Sequence, residues 1–300
     1  MAASPSAAPA RLARPWYHPL RVTRVLVICA TIAYAAFGIY LYAMQTHMIY
    51  EGYSVPVSVP EAVRLAKAVD LVPWAPTTPG AKGPQGYVRP DFALPAPRGT
   101  IVFFHGNGES AWEWVHEVAP FTQRGFRVFL YEYPGYGGRP GVPAEKTIVP
   151  DARAVVRSLD DAGFGPIYLW GESLGSGVAA AVCADQSLPI KGLTLVAPWD
   201  ALPNVAASYY PCFPVRFLMT DQYDSIASLK HFRHPICVIR GDLDETIPPA
   251  LSINLFADLP NPKKMIVKTG YGHGDWPESP ELPWWDEAVD FIAPRSSGNH

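Results

Sequence analysis

The sequence predicts an α/β protein with a mostly parallel central sheet covered by helices on both faces, preceded by one membrane-spanning helix. Three observations carry this expectation. From Thr100 onward, short β-branched or aromatic runs alternate with longer helical patterns. Those runs are apolar at consecutive positions, as strands buried on both faces must be. Near the N-terminus, 20 successive residues carry no charge at all.

Taken in order, residues 1–24 read as a disordered basic tail. The first part is rich in Ala, Pro and Ser, and Arg11, Arg14, Arg21 and Arg24 stand there without an acid. Residues 25–44, VLVICATIAYAAFGIYLYAM, follow as the transmembrane helix. At about 1.5 Å per residue they match a hydrocarbon core of about 30 Å. Tyr40 and Tyr42 near one end suit the headgroup zone, and the four arginines precede the other. Positive charge stays inside, so the N-terminus is expected in the cytoplasm and the globular domain on the outer side, whether periplasmic, lumenal or extracellular. A cleaved signal peptide fits less well: its apolar region spans about 7 to 15 residues and ends in small residues, whereas this one ends YAMQTHM. A buried core helix would show a polar face at helical period, and none is present.

Residues 45–97 are expected to be a linker and the Pro-rich start of the domain, with LVPW and GYVRP as weak candidates for antiparallel edge strands. Residues 98–300 are then expected to form the α/β domain proper. Its strands are IVFF from 101, VFLY from 128, IYLW from 167, LTLV from 193, ICVI from 236 and MIVK from 265. Between them, Ala152, Val155, Val156 and Leu159 form one stripe of an amphipathic helix. Ser110 followed by Glu113 reads as a capping box that opens another. Residues 200–232, with Tyr209, Tyr210, Phe213, Phe217 and Tyr223 among three prolines, supply no strand and are expected as a cap over the C-terminal edge of the sheet.

Composition narrows the function. With 49% of 300 residues apolar, the chain can bury a large core in one α/β domain. Its net charge of −3 includes the four N-terminal arginines, so the remainder carries −7, which argues against nucleic acid as a partner. Cys29, Cys183, Cys212 and Cys237 stand apart, without CxxC or a Cys/His cluster. Neither a metal site nor a disulfide framework is indicated, and they read as small apolar fillers rather than a bridge such as Cys183 to Cys212.

The chemistry concentrates in Gly171-Glu172-Ser173-Leu174-Gly175, directly after IYLW and directly before a small-residue helical pattern. A serine on so sharp a strand-to-helix turn projects its hydroxyl above the sheet, and flanking glycines avoid collision with neighbouring backbone. A serine hydroxyl needs a base held in the right tautomer by an acid. Asp242 and Asp244 lie at the end of ICVIRGD and His273 follows MIVKTGYG. Both partners thus come from strand C-terminal ends, in the order this architecture uses. The tetrahedral intermediate needs donors, for which the amides of Leu174 and of Asn107, in the loop His105-Gly106-Asn107-Gly108, are the candidates. His105 reads as a hydrogen-bonded structural histidine.

FFHGNG, YEYPGYG, WGESLGSG, GDLDETIP and GYGHGD together resemble the α/β-hydrolase superfamily over residues 98–293. Within it they are most similar to single-pass, membrane-anchored serine hydrolases of the serine aminopeptidase-like kind. The resemblance implies the α/β-hydrolase fold, with Ser173 as nucleophile and His273 as base. GDLDETIP resembles the family's G-x-x-D-x-x-x-P turn, which makes Asp244 the acid and leaves Asp242 a turn residue. LGSG after the nucleophile departs from the usual LGG, and the Pro-rich segment matches poorly. The expected substrate is a small acyl or peptide-like molecule joined by an ester, thioester or amide bond, with no cofactor and an undetermined oligomeric state. Two rivals remain. Residues 106–111 also fit the dinucleotide fingerprint, with Glu132 about 20 residues on as the ribose ligand. A non-catalytic, membrane-anchored binding protein could use the same fold.

Overall fold

The computed structural model describes residues 19–74, 83–93, 95, 98–275 and 282–295. Most of the expected tail, His18 and His300 lie outside the described residues. The chain divides into two compact units, Met1–Met44 and Gln45–His300.

The first unit is built on helix α1 (Pro19–Ile49), which continues into the second. Within Leu20–Ile49 the mean hydropathy reaches 2.1, so the helix is long and apolar enough to cross a membrane. It extends beyond the expected 25–44 at both ends. Residues 19–24, expected in the disordered tail, form its first turns. Proline suits the first helical position, arginine is a good helix former, and no further proline interrupts the run before Ile49.

The second unit contains β1 (Val72–Trp74), β2 (Gly86–Val88), β3 (Gly99–Phe104), β4 (Phe126–Tyr131), β5 (Ile167–Glu172), β6 (Ile190–Val196), β7 (Ile236–Gly241) and β8 (Lys263–Lys268). The sheet order is β1-β2-β4-β3-β5-β6-β7-β8. Strands β3 to β8, the six expected from the sequence, are all parallel, and β1 and β2 form an antiparallel edge. The helices of this unit are α2 (Val59–Ala68), α3 (Ala119–Gln123), α4 (Glu145–Asp161), α5 (Leu174–Cys183), α6 (Leu202–Tyr209), α7 (Val215–Leu218), α8 (Ser225–Leu229), α9 (Pro249–Asp258) and α10 (Pro283–Ile292).

Period-two alternation sends each central strand to two cores. Val102, Phe104, Phe129, Tyr131, Ile167 and Leu169 join the core that contains Ala152, Val155, Val156 and Leu159 of α4 and the wholly buried α5. Ile101, Phe103, Val128, Leu130, Tyr168 and Trp170 join the opposite core with Phe121 of α3 and Trp284 and Trp285 of α10. There Trp170 meets Phe121 edge-on at 4.7 Å and stacks on Trp285 at 5.6 Å. Both layers rest on dry aromatic and aliphatic surface, which fixes the strand ends that carry the site.

The described residues between 45 and 95 belong to the folded unit. LVPW and GYVRP supply β1 and β2, and Tyr50 is completely buried. Its hydroxyl donates to Asp221 Oδ2 at 2.6 Å and lies 3.1 Å from that of Tyr223. Gln45 Oε1 accepts from the Thr220 amide at 2.8 Å. The last turn of α1 and the residue just after it are thereby tied to the segment between α7 and α8. Residues 200–232 contain the short helices α6 to α8 and no named strand. The Ser110 capping box is present, with the Ser110 amide donating to Glu113 Oε2 at 2.6 Å, but it opens a five-residue 3-10 helix, Ala111–Val115, rather than an α-helix. None of the four cysteines, all among the described residues, is in a disulfide. Cys183 and Cys237 are buried, whereas Cys29 and Cys212 are exposed.

Candidate active site

Ser173 stands where β5 turns into α5, at φ 51° and ψ −117°, a strained backbone for a residue with a side chain. The turn closes tightly. A β-carbon on Gly171 would lie 2.2 Å from the Gly175 carbonyl oxygen, and one on Gly175 would lie 2.0 Å from that of Phe104. Both obstacles are backbone, so both glycines are required. The Ser173 amide donates to the Val196 carbonyl at 3.0 Å, and the Ser176 hydroxyl donates to the Ser173 carbonyl at 2.7 Å. The unusual serine of LGSG thus braces the elbow from inside the first turn of α5.

Asp244 follows β7, and His273 follows β8. Ser173 Oγ donates to His273 Nε2 at 2.9 Å, and His273 Nδ1 donates to Asp244 Oδ2 at 2.9 Å. The other Asp244 oxygen accepts the amides of Thr246 at 3.0 Å and Ile247 at 2.8 Å, which holds the carboxylate in one pose. Burial acts to lower the His273 pKa, but the hydrogen bond and charge of Asp244, joined by Glu172 and Glu109, outweigh it and hold the imidazole above its ordinary value. Asp242 is elsewhere: its Oδ1 accepts the Gly270 amide at 2.6 Å and bridges the β7 and β8 loops. The structure therefore brings Ser173, His273 and Asp244 into one hydrogen-bonded chain and leaves Asp242 out of it. Such a chain can draw a proton from the serine hydroxyl and stabilise the resulting imidazolium.

The candidate oxyanion donors are the amides of Leu174 and Asn107. Leu174 is the first residue of α5, where amides point outward and the helix dipole favours negative charge. Asn107 lines the same pocket as Ser173 and His273. His105 Nδ1 donates to the Gly106 carbonyl at 2.8 Å, which orients the peptide plane that carries the Asn107 amide. The Gly52 amide at 2.7 Å and the Tyr136 hydroxyl at 3.0 Å both donate to the Asn107 carbonyl and pin the next plane. His105 itself is buried against Tyr133 at 4.2 Å, with Nε2 3.3 Å from Glu132 Oε1, the structural role its context suggests. Glu132 is completely buried, and its Oε2 accepts the Ala111 amide at 3.1 Å. A ribose cannot reach it, and the dinucleotide reading loses its acid.

Sequence reasoning passed over the pocket wall. Glu109, Glu113, Glu117 and Glu172, with Trp114, line the pocket beside Ser173. The spacing of four residues between the first three glutamates was the available signal, since at α-helical period it would set them on one side, although here only Glu113 lies in a helix, the 3-10 turn Ala111–Val115. Burial, with added repulsion from Glu109 and Asp244 that the charge of His273 only partly offsets, pushes the Glu172 carboxyl up to about 8.

An eight-stranded, mostly parallel sheet, with a strained serine elbow at one strand end and an acid and a histidine at two others, defines the α/β-hydrolase class. A family profile described as alpha/beta hydrolase fold matches residues 99–218. An uncharacterized protein of Mycobacterium tuberculosis is 30% identical over 279 residues, covering 88% of this chain and 92% of that protein. The chain belongs to the α/β-hydrolase superfamily. Lysophosphatidylserine lipase ABHD12 of Mus musculus is 26% identical over 221 residues, or 64% of this chain and 55% of the lipase, so the chain spans about half the length of that relative. Among solved structures, Est1E from Butyrivibrio proteoclasticus with ferulic acid bound aligns with a TM-score of 0.58 at 18% identity, over 69% of this chain and 94% of that one. A CIB-like hydrolase from Thermoplasma acidophilum aligns at 0.54 and 19% identity, over 74% and 97%. These last two likenesses concern the fold.

Proposed function

We propose that the protein is a membrane-anchored serine hydrolase that cleaves an ester, thioester or amide bond through an acyl-enzyme on Ser173. The observation that carries this reading is the unbroken chain from Ser173 Oγ through His273 to Asp244, with 2.9 Å at each step. Ser173 Oγ attacks the carbonyl carbon while its proton passes to His273 Nε2, and the oxyanion accepts the Leu174 and Asn107 amides. Collapse of the tetrahedral intermediate breaks the scissile bond, and the leaving alcohol, thiol or amine takes the proton from His273. Water then attacks the acyl-enzyme with His273 as base and releases the acid. The name of the ABHD12 relatives supports a lipid ester as one substrate class.

Incubation of the purified protein with a fluorophosphonate is expected to give one covalent adduct per chain, on Ser173. A panel of p-nitrophenyl esters from acetyl to palmitoyl, beside aminoacyl amides, then reports which acyl group the pocket accepts. Absence of both adduct and hydrolysis across the panel would overturn the reading.

Attachment through residues 25–44 of α1 is the second part of the proposal. Apolar burial is insensitive to screening, so the intact protein should stay in the membrane pellet through high salt and alkaline carbonate. A form lacking residues 1–44 should be soluble and still hydrolyse esters. The cut falls there because Gln45 and Tyr50 hold the segment around Thr220 and Asp221. Protease added to intact cells should reach the catalytic domain; protection until the membrane is broken would place that domain in the cytoplasm instead.

A further inference from the structure

Among the described residues that line the Ser173 pocket there are four glutamates and no lysine or arginine. Glu113 is committed to the Ser110 amide. Glu172 differs from the other structural acids nearby. Asp242, Asp244 and Asp275 each accept a backbone amide, from Gly270, Thr246 and Gly272 in turn, whereas Glu172, only 7% exposed, accepts no hydrogen bond from any described residue and faces the pocket. The elbow itself makes demands on the flanking glycines and not on the residue before the nucleophile.

The carboxylates of Glu172 and Glu109 converge. Their Oε2 atoms lie 2.7 and 3.4 Å from the position a β-carbon on Gly106 would occupy. The missing side chain leaves that space open to the pocket, and Trp114 adds an indole to the same wall. Glu172 is buried whereas Glu109 stands exposed at the pocket rim, and burial, with repulsion from Glu109 and Asp244, pushes the Glu172 carboxyl up to about 8. A bound cation would offset the same repulsion directly, and an indole beside it adds a face that attracts positive charge.

We propose that Glu172, with Glu109 and Trp114, forms a cation subsite beside Ser173 that selects substrates carrying an ammonium group near the scissile bond. The selection among substrates rests on the serine-hydrolase reading; the binding of the cation does not. Two measurements separate them. In the first, thermal unfolding of the intact protein is followed with n-butylammonium and with n-butanol, at alkaline pH where Glu172 is ionised. Butylammonium should raise the Tm well beyond butanol, and Glu172→Gln should abolish the difference. Glu109→Gln serves as the second variant if the first does not fold.

In the second, kcat/KM is compared for butyrylcholine and for its uncharged isostere, 3,3-dimethylbutyl butyrate. The cation should be preferred by about tenfold, in keeping with a desolvated cation held by an aromatic face and carboxylates. In Glu172→Gln that ratio should fall towards one. A wild-type ratio near one with no selective stabilisation by butylammonium would overturn the subsite, as would a preference that survives in both glutamine variants. Selective stabilisation by butylammonium in a protein that hydrolyses neither ester would leave the subsite standing and remove the hydrolase reading.

Discussion

Ser173→Ala is expected to abolish ester hydrolysis and fluorophosphonate labelling while leaving the fold intact. Removal of a serine nucleophile from a triad of this kind commonly costs on the order of 10⁶ in kcat. The substitution deletes one oxygen and keeps the β-carbon, so the strained backbone at φ 51° is no worse accommodated than before. The bonds that hold the elbow use the Ser173 amide and carbonyl, which alanine retains. An unchanged Tm beside lost labelling would therefore isolate the hydroxyl. Slow residual hydrolysis is compatible with the assignment, because the Leu174 and Asn107 amides would still favour a developing oxyanion. Labelling at the wild-type rate in a folded Ser173→Ala protein would remove Ser173 as the nucleophile.

How legible the molecule was in its sequence depended on how many residues carried each signal. IYLW, followed by a serine between two glycines and then by small residues, joins a strand, a turn and a helix in one run, and the structure has β5, the elbow and α5 there. The six parallel strands were equally plain, since each is buried on both faces and needs apolar residues in succession. By contrast, β1 and β2 are three residues long, too short for any period to show. Tyr50 gave no sign that it is buried, because its place depends on Asp221 and Tyr223, more than 170 residues away in sequence. The helix runs past the expected 25–44 at both ends, since Arg21 and Arg24 continue it as readily as leucine would and Gln45 to Ile49 extend it after the uncharged apolar run. The acidic wall was missed for a similar reason: Glu172 meets Glu109 only through the parallel pairing of β3 with β5.

Asp244→Asn against Asp242→Asn is the comparison that weighs the second partner. Asp244 orients His273 through Nδ1 and answers the charge of the imidazolium. An asparagine amide turned towards Nδ1 would favour the tautomer with its proton on Nε2, which cannot accept from Ser173, and a loss on the order of 10⁴ in kcat is expected. The pH profile should change with it. His273 must be neutral to act as base, and in the wild type its pKa is held above the ordinary value chiefly by Asp244 against the lowering effect of burial. Wild-type kcat/KM should therefore rise as pH increases through that elevated value. In Asp244→Asn the raising partner is gone and burial prevails, so the acid limb should move to lower pH while the plateau collapses. Asp242→Asn keeps a carbonyl oxygen for the Gly270 amide and touches neither His273 nor Ser173. It should retain nearly wild-type rates and an unshifted acid limb. Equal losses in the two variants, or an acid limb that fails to move in Asp244→Asn, would show that the acid serving His273 is another group.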